Sequence, residues 1–170
     1  GYINLTLKMM EHFGIPSEKL SATRDSYHIK PASYSCPKNG YSIESDASAA
    51  SYFIALPLAT GGIVEIEGVS KESLQGDIAF AHIAEKAGAT LEWRTDSLVV
   101  SANLGVSSIS PPSANYYAFS DTFMTGAAIA PLANSPTLIE GIGHTRLQEC
   151  DRIEAMASGL ANAGQSIHET

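Results

Sequence analysis

The sequence predicts an α/β fold made of repeated α-β-α-β units, and two observations support this. Glycines divide the chain at intervals that suit alternating short strands and helices. The order of predicted elements also recurs with an offset of about 75 residues, which is too long a period for a solenoid. Residues 45–59 and 120–133 both begin with Ser-Asp and both end in Pro-Leu-Ala. After each of them, a predicted strand with Glu-Gly precedes a Leu-Gln pair that introduces the next predicted helix.

The composition fits one domain or two small lobes and excludes several classes of protein. Of 170 residues, 44% are hydrophobic and 16% are charged, so the chain can bury a core and is not a disordered acidic tail. The formal net charge of −8, with no Lys/Arg cluster, argues against a nucleic-acid partner. The longest apolar stretches, residues 52–59 and 126–133, contain prolines and are too short to span a bilayer. Cys36 and Cys150 do not make a disulfide scaffold, which predicts a reducing, cytoplasmic location.

Apolar periodicity and glycine stops define the elements of the first repeat and of the segment before it. Asp46 offers an N-cap for the helix of the first repeat, and Gly61-Gly62 ends it. The predicted elements are, in chain order, a helix at 3–13, strands at 27–29 and 41–43, a helix at 45–59, a strand at 63–69, a helix ending at Gly88, and a hairpin of strands 91–93 and 98–101.

The second repeat follows a predicted loop at residues 107–115. It comprises a helix from Ser120-Asp121, a strand at 137–142 and a helix that ends at Ala163-Gly164. Pro57 and Pro131 occupy equivalent places in the first helices of the two repeats. Because proline removes a backbone donor, we expect both helices either to kink or to break there.

The densest polar cluster, residues 146–152, lies at the start of the last predicted helix. Gln148 and Glu149 are four and three positions before Arg152, so the three side chains share a helical face. A helix N-terminus attracts anions, so this cluster predicts a site that binds a phosphate or carboxylate and positions a carboxylate for proton transfer. The alternative is a solvated first turn with an ordinary ion pair.

The starts of the helices of both repeats carry further candidates. Asp46 and Asp121 are each interpreted as an N-cap or as a general base held by the helix end. Ser48, Ser51 and Tyr52 can donate hydrogen bonds to an anion or serve as cap and packing residues.

Metal and nucleotide motifs are missing from the sequence. The five histidines include no pair at metal-binding spacing, and the cysteines form no paired motif, so no metal site is predicted. No glycine-rich dinucleotide or P-loop pattern occurs.

Four spaced segments resemble the enolpyruvyl transferase family in the family's own order, and residues 1–14 resemble the segment that precedes them. The segments are residues 45–53 (Ser-Asp-Ala-Ser-Ala-Ala-Ser-Tyr-Phe), 73–77 (Ser-Leu-Gln-Gly-Asp), 121–125 (Asp-Thr-Phe-Met-Thr) and 146–152 (Arg-Leu-Gln-Glu-Cys-Asp-Arg). The Leu-Gln-Gly-Asp segment at 74–77 and the Asp-Arg pair at 151–152 favour the shikimate-pathway branch over the sister transferase that acts on UDP-N-acetylglucosamine.

The resemblance implies two lobes, each built from three βαβαββ units, with each lobe partly represented here. Residues 1–93 would be the last unit of the lobe on the shikimate 3-phosphate side. Residues 94–170 would begin the second lobe, on the phosphoenolpyruvate side. The family's Lys-Ser, Gly-rich, Ser-Ser-Gln and Asp-His-Arg segments are not found here. We therefore expect the missing parts of its own polypeptide to be its partner, and the 170 residues alone to be inactive.

The activity implied is transfer of the enolpyruvyl group of phosphoenolpyruvate to the 5-hydroxyl of shikimate 3-phosphate, with release of phosphate. The family uses no metal or organic cofactor, so none is expected. The reaction adds and then eliminates through a tetrahedral intermediate, which requires a base, an acid and cations around the anionic substrates. A non-catalytic module of the same fold is the alternative from a different class.

Position in the family motifs assigns the candidate residues. Asp121 would be the base at the shikimate hydroxyl, Glu149 the proton shuttle at the methylene carbon, and Arg152 the clamp on phosphoenolpyruvate. The remaining candidate substrate-binding residues are Ser51, Tyr52, His144 and Gln148.

The chain departs from the family pattern at three of its positions. Gln148 stands where the family usually has Lys, and a neutral amide cannot supply that charge. Ala49 stands where many members carry a phosphate-binding Ser, and His144 where Asn is frequent. These departures predict a divergent subgroup that draws its charge from elsewhere, or a weakened enzyme.

Overall fold

A computed structural model describes residues 2–19, 26–103 and 109–170 of the chain. Its contacts divide the chain into two compact units, Gly1–Glu44 and Ser45–Thr170. Helices and short strands alternate through both units, which confirms the predicted α/β class.

The first unit holds one helix and a two-stranded antiparallel sheet. Helix α1 (Tyr2–His12) confirms the prediction, and the chain leaves it through Gly14, whose φ of +87° suits glycine. Strand β1 (Ser17–Lys19) pairs with the predicted strand β2 (Tyr27–Ile29). The strand predicted at 41–43 is wrong, because the described structure assigns these residues to no strand.

Helix α2 (Ala47–Thr60) opens the second unit and forms as its sequence predicts. The carboxylate of Asp46 accepts hydrogen bonds from the backbone N–H groups of Ser48 and Ala49, at 2.9 and 3.1 Å. The helix is followed by Gly61, which adopts a φ of +70°. It continues through Pro57, so the first repeat keeps its helix in one piece.

A three-stranded antiparallel sheet follows, in the order β3-β5-β4. Strand β3 spans Gly62–Glu67, and the predicted hairpin forms as β4 (Thr90–Trp93) and β5 (Ser97–Ala102). The central strand β5 buries Leu98 and Val100 completely. This sheet crosses the predicted lobe boundary at 93/94, and the assignment of the two lobes stays a prediction.

A 3-10 turn (Gly76–Ala79) leads from β3 into helix α3 (Phe80–Ala87), which packs on the sheet and ends at Gly88 as predicted. The core of the second unit forms between these layers. Its largest fully buried side chains include Ile54, Phe80, Leu98, Val100, Tyr116 and Phe123.

The second repeat preserves the order of the first but breaks its first helix into shorter pieces. Pro131 lies in a 3-10 turn after the end of α4, so here the predicted helix does break. Strand β6 forms inside the predicted loop, and residues 107 and 108 of that loop lie outside the described residues. The elements are a 3-10 helix (Tyr117–Thr122), α4 (Phe123–Ile129), a 3-10 turn (Ala130–Leu132), a parallel pair of β6 (Ala114–Asn115) and β7 (Ile139–Glu140), a 3-10 helix (Gly143–Leu147) and α5 (Arg152–Asn162).

The two repeats meet at matching positions of their first helices. The hydroxyl of Ser51 in α2 lies 2.7 Å from that of Thr125 in α4, and both residues are buried. Within the described segments, none of the helices combines the length and hydropathy that a membrane span requires.

Candidate active site

Arg152, the first residue of α5, connects both candidate catalytic carboxylates. Its Nη1 donates to Asp121 Oδ1 at 3.0 Å, and its Nε donates to Glu149 Oε2 at 3.1 Å. The Nη2 group donates to the same Glu149 oxygen. Arg152 is 17% exposed and Glu149 is 76% exposed, so the cluster opens to solvent on the Glu149 side. The structure thus brings three of the predicted site residues into one contact network.

The charges of this network favour ionised side chains. The pKa of Glu149 is lowered, first by a hydrogen bond from its own backbone amide and then by Arg152. The pKa of Arg152 is raised, chiefly by its hydrogen bond to Glu149. The pKa of Glu149 is therefore held below its ordinary value while Arg152 stays in place, and weakening that contact removes one of the causes that lower it.

A second arginine supports the segment that carries Glu149. The Nη1 group of Arg146 lies 3.1 and 2.9 Å from the two carboxylate oxygens of Asp151, and its Nη2 donates to Glu169 at 2.8 Å. Asp151 also caps α5 by accepting a hydrogen bond from the Glu154 amide at 3.0 Å. The pKa of Arg146 is raised, first by Glu169, and the pKa of Asp151 is lowered, first by the Glu154 amide.

His144 and Gln148 lie at the same end of the second repeat, and both are exposed. The imidazole Nε2 of His144 is 3.1 Å from the hydroxyl of Ser120, the residue just before Asp121. The ring of Tyr117 meets the imidazole edge to face, with centroids 5.5 Å apart. His144 is thereby held beside Ser120 and Tyr117, and a substrate-binding role for His144 and Gln148 stays a prediction.

Ser51 and Tyr52 occupy a different environment, on α2. Ser51 is fully buried, and its hydroxyl donates to the Ser48 carbonyl at 2.6 Å while it contacts Thr125. Tyr52 is 58% exposed. Among the described residues, neither side chain hydrogen-bonds to Arg152, and the packing interpretation describes Ser51 better than an open anion site. A substrate-binding role for these two residues stays a prediction.

Asp77 is a buried carboxyl group beside the site that sequence reasoning left without a role. It is 6% exposed and accepts a short hydrogen bond from the hydroxyl of Ser48. Its pKa is raised, first by burial and also by the negative charges of Asp121 and Asp46. The signal in the sequence that points to Asp77 is the Leu-Gln-Gly-Asp segment, of which it is the last residue.

The arrangement suits acid–base chemistry on an anionic ligand. A carboxylate ligand competes with Asp121 and Glu149 for the Arg152 guanidinium, because all three are oxygen acceptors of the same planar fork. The carboxylate that is displaced then accepts or carries a proton. In the part of the chain that the structure describes, no three His, Cys, Asp or Glu side chains gather closely enough to hold a metal ion.

Comparison with known proteins places this sequence in a family. The sequence model of the family EPSP synthase (3-phosphoshikimate 1-carboxyvinyltransferase) matches residues 1–170. Similar proteins named 3-phosphoshikimate 1-carboxyvinyltransferase are 38% identical in Opitutus terrae and 39% identical in Idiomarina loihiensis, each over 99% of this chain. The chloroplastic enzyme of Brassica napus is 35% identical over 99% of the chain.

The chain spans only about a third of the length of these relatives, covering 36%, 38% and 33% of them respectively. The match nevertheless extends from the first residue of the chain to the last. The resemblance in the spaced motifs is therefore confirmed, and the chain belongs to the EPSP synthase family.

Proposed function

We propose that the polypeptide to which this chain belongs transfers the enolpyruvyl group of phosphoenolpyruvate to the 5-hydroxyl of shikimate 3-phosphate and releases phosphate. Family membership and the names of the relatives support this reaction. The observation that carries the proposal is the Arg152 guanidinium held between the carboxylates of Asp121 and Glu149. A base, an acid and a carboxylate-binding cation are thus within one hydrogen-bonded cluster.

In the addition step, Asp121 accepts the proton of the 5-hydroxyl while the oxygen forms a bond to the second carbon of phosphoenolpyruvate. Glu149 gives a proton to the methylene carbon, which becomes a methyl group, and a tetrahedral intermediate results. In the elimination step, Glu149 takes a proton back from that methyl group and the bond to phosphate breaks. The proton on Asp121 leaves with the phosphate, so both carboxylates return to their starting state.

Arg152 couples substrate binding to the protonation of Glu149. Its hydrogen bond is one of the two main causes of the lowered Glu149 pKa. When the guanidinium turns toward the carboxylate of phosphoenolpyruvate, that cause is removed and Glu149 binds a proton more readily. The substrate itself thereby prepares the acid that the addition step needs.

The chain supplies only part of the positive charge that the two substrates require. Gln148 is neutral and exposed, so further cations must come from the rest of the polypeptide. That polypeptide is the partner we propose, together with the two small-molecule substrates. A cytoplasmic location stays a prediction.

The test uses the complete polypeptide and measures phosphate release from phosphoenolpyruvate with either shikimate 3-phosphate or UDP-N-acetylglucosamine as the acceptor. We expect phosphate release with shikimate 3-phosphate as the acceptor and none with UDP-N-acetylglucosamine. Glu149→Gln should lower turnover by about a hundred- to ten-thousand-fold. The matched control is Glu154→Gln, an exposed carboxyl group in the first turn of α5, which should leave turnover unchanged.

Release with the UDP-sugar would assign the protein to the sister activity. Release with neither acceptor would favour a non-catalytic module. Equal turnover in the two glutamine variants would remove Glu149 from the chemistry.

A further inference from the structure

The loop that contains Glu149 is closed into a ring by Arg146. Its guanidinium contacts both carboxylate oxygens of Asp151, five residues later, at 3.1 and 2.9 Å. Residues 147–150 therefore lie inside a closed turn whose two ends are fixed to one another. All four side chains of that turn, among them Gln148 and Glu149, are exposed.

The far end of the ring is also the start of α5. Asp151 accepts from the Glu154 amide at 3.0 Å through its side chain and from the Ala155 amide at 3.0 Å through its carbonyl. Arg152 follows directly and points its guanidinium at Asp121, 3.0 Å away. Any movement of Asp151 therefore moves the base of the Arg152 side chain.

A second carboxylate holds Arg146 from outside the ring. Glu169, seventeen residues beyond Arg152 in the sequence, accepts from Arg146 Nη2 at 2.8 Å. The Arg146 and Asp151 side chains are 32% and 30% exposed, so water competes only partly for these contacts. One planar guanidinium thus joins the C-terminal segment, the helix cap and the turn. A lysine ammonium cannot make this set of directed contacts.

We propose that Arg146 is a positioning residue. Through the ring that it forms with Asp151, it keeps Glu149 and Arg152 in their positions relative to one another, and Glu169 holds Arg146 in place. This rests on the proposed function, in which Glu149 carries a proton and Arg152 binds the carboxylate of phosphoenolpyruvate. Arg146 itself has both of its contacting nitrogens on carboxylates and acts through its neighbours.

The chain contains a matched control for this arrangement. Arg94 also bridges two carboxylates, with Nη1 at 2.8 Å from Glu65 and Nε at 2.8 Å from Glu92. These three residues lie on or beside the three-stranded sheet, and Arg94 is 45% exposed. The same substitution at Arg94 removes the same kind of contacts and touches none of the residues of the candidate site.

The experiment compares Arg146→Lys, Glu169→Gln and Arg94→Lys in the complete polypeptide. For Arg146→Lys we expect kcat to fall by about ten- to a hundredfold, since misplacing reacting groups by about 1 Å costs up to that much. KM for shikimate 3-phosphate should change by less than about threefold, because ground-state contacts are kept. Glu169→Gln should lower kcat by a smaller factor, and Arg94→Lys should leave kcat and KM unchanged.

Hydrogen–deuterium exchange reports the same positioning without reference to activity. In Arg146→Lys, the Glu154 and Ala155 amides should exchange about five- to tenfold faster, because the cap that protects them is loosened. In Arg94→Lys these two amides should exchange at the wild-type rate.

Unchanged exchange and unchanged kcat in both Arg146→Lys and Glu169→Gln would overturn the inference. A rise in KM for shikimate 3-phosphate that accounts for the whole loss of kcat/KM would also overturn it, since Arg146 would then bind that substrate directly. Faster exchange in a protein that releases no phosphate with shikimate 3-phosphate would refute the proposed function and leave the positioning of the turn established.

Discussion

In both repeats, the segment at the start of the second helix contacts the start of the first helix. The side chains that make these contacts differ in chemistry between the repeats. In the first repeat, the side chain of Gln75 accepts from the Ala47 amide at 2.9 Å and donates to the Ser45 carbonyl at 2.7 Å. Ser48 then donates to the buried carboxyl group of Asp77. The segment before the second helix is thereby tied to the start of the first helix by amide and hydroxyl groups.

In the second repeat, the corresponding connection is ionic. Arg152 reaches from the start of the second helix to Asp121, at the start of the first, and also holds Glu149. The matching glutamine, Gln148, is exposed at this end of the repeat. Two carboxylates and one guanidinium stand where the first repeat has an amide, a hydroxyl and one buried carboxyl group.

Under the proposed function, this difference separates a structural copy from a catalytic one. Hydrogen bonds to backbone groups leave no charge for a ligand to exchange with, and they mainly stabilise the fold. An ion-paired cluster open on one side can exchange a carboxylate partner for an anionic ligand. We infer that duplication lets one copy keep the architecture while the other carries the acid–base groups.

The largest effect is expected for Arg152→Lys in the complete polypeptide. Lysine keeps the charge but cannot contact Asp121 and Glu149 through a planar fork, so turnover should fall by about a hundred- to a thousandfold. The control in the first repeat is Gln75→Ala, which should lower the free energy of unfolding by about 1–3 kcal/mol and keep turnover. If the lysine variant stays within about threefold of wild-type turnover, a point charge suffices and the fork has no special role.

A smaller effect is expected for Gly76→Ala, which tests how tightly the first repeat packs on the second. A Cβ at Gly76 would lie 2.7 Å from the carbonyl oxygen of Ala118, in the 3-10 helix that carries Asp121. Because that obstacle is backbone, we expect a loss of about 1–3 kcal/mol in the free energy of unfolding, measured with urea.

Gly159→Ala is the matched control, since a Cβ there meets nothing within 4 Å in the middle of α5. It should stabilise the protein by about 0.5–1 kcal/mol. If Gly76→Ala leaves the free energy of unfolding unchanged, the contact between the repeats can adjust to the added methyl group without loss of stability.

The smallest effect is an opposite pH dependence of stability in the two repeats. The pKa of Asp77 is raised above its ordinary 3.8, so its contribution is fully present below that value and is lost as pH rises through the folded pKa. The pKa of Glu149 is lowered below its ordinary 4.5, so its contribution is present above that value and is lost as pH falls through the folded pKa.

Urea midpoints measured at several pH values for the wild type, Asp77→Asn and Glu149→Gln check this. The advantage of wild type over Asp77→Asn should shrink as pH rises, and its advantage over Glu149→Gln should grow. Difference curves that slope the same way would contradict the assignment of the two environments.

Local signals predicted much of the fold. Asp46 and Gly61 bound α2 as expected, because capping and glycine stops depend on neighbouring residues. The hairpin also forms as expected. The failed strand at 41–43 and the unpredicted pair of β1 with β2 depend on partners distant in sequence, which a local pattern cannot choose.

The candidate site was predicted in part for the same reason. Glu149 and Arg152 contact each other as expected, but the shared helical face predicted for Gln148, Glu149 and Arg152 is wrong, because α5 begins only at Arg152. The link from Arg152 to Asp121 spans 31 residues and needed the family resemblance. The partner of Arg146, Glu169, and the place of Asp77 beside Asp121 follow from tertiary packing alone. Pro57 and Pro131 are equivalent in sequence but differ in structure. The helix continues through Pro57, whereas α4 ends before Pro131.

The most direct test of the division between the repeats compares Asp46→Ala with Asp121→Ala in the complete polypeptide, with turnover and the free energy of unfolding measured for both. Asp46 caps α2, so its loss should cost about 0.5–2 kcal/mol of stability. Asp121→Ala should lower turnover by at least about a hundredfold, as expected for loss of a general base. We predict that Asp46→Ala keeps turnover within about threefold of wild type, since its carboxylate stabilises a helix end. An Asp121→Ala variant that keeps more than about a tenth of wild-type turnover, or an Asp46→Ala variant that loses as much turnover as Asp121→Ala, would contradict this division.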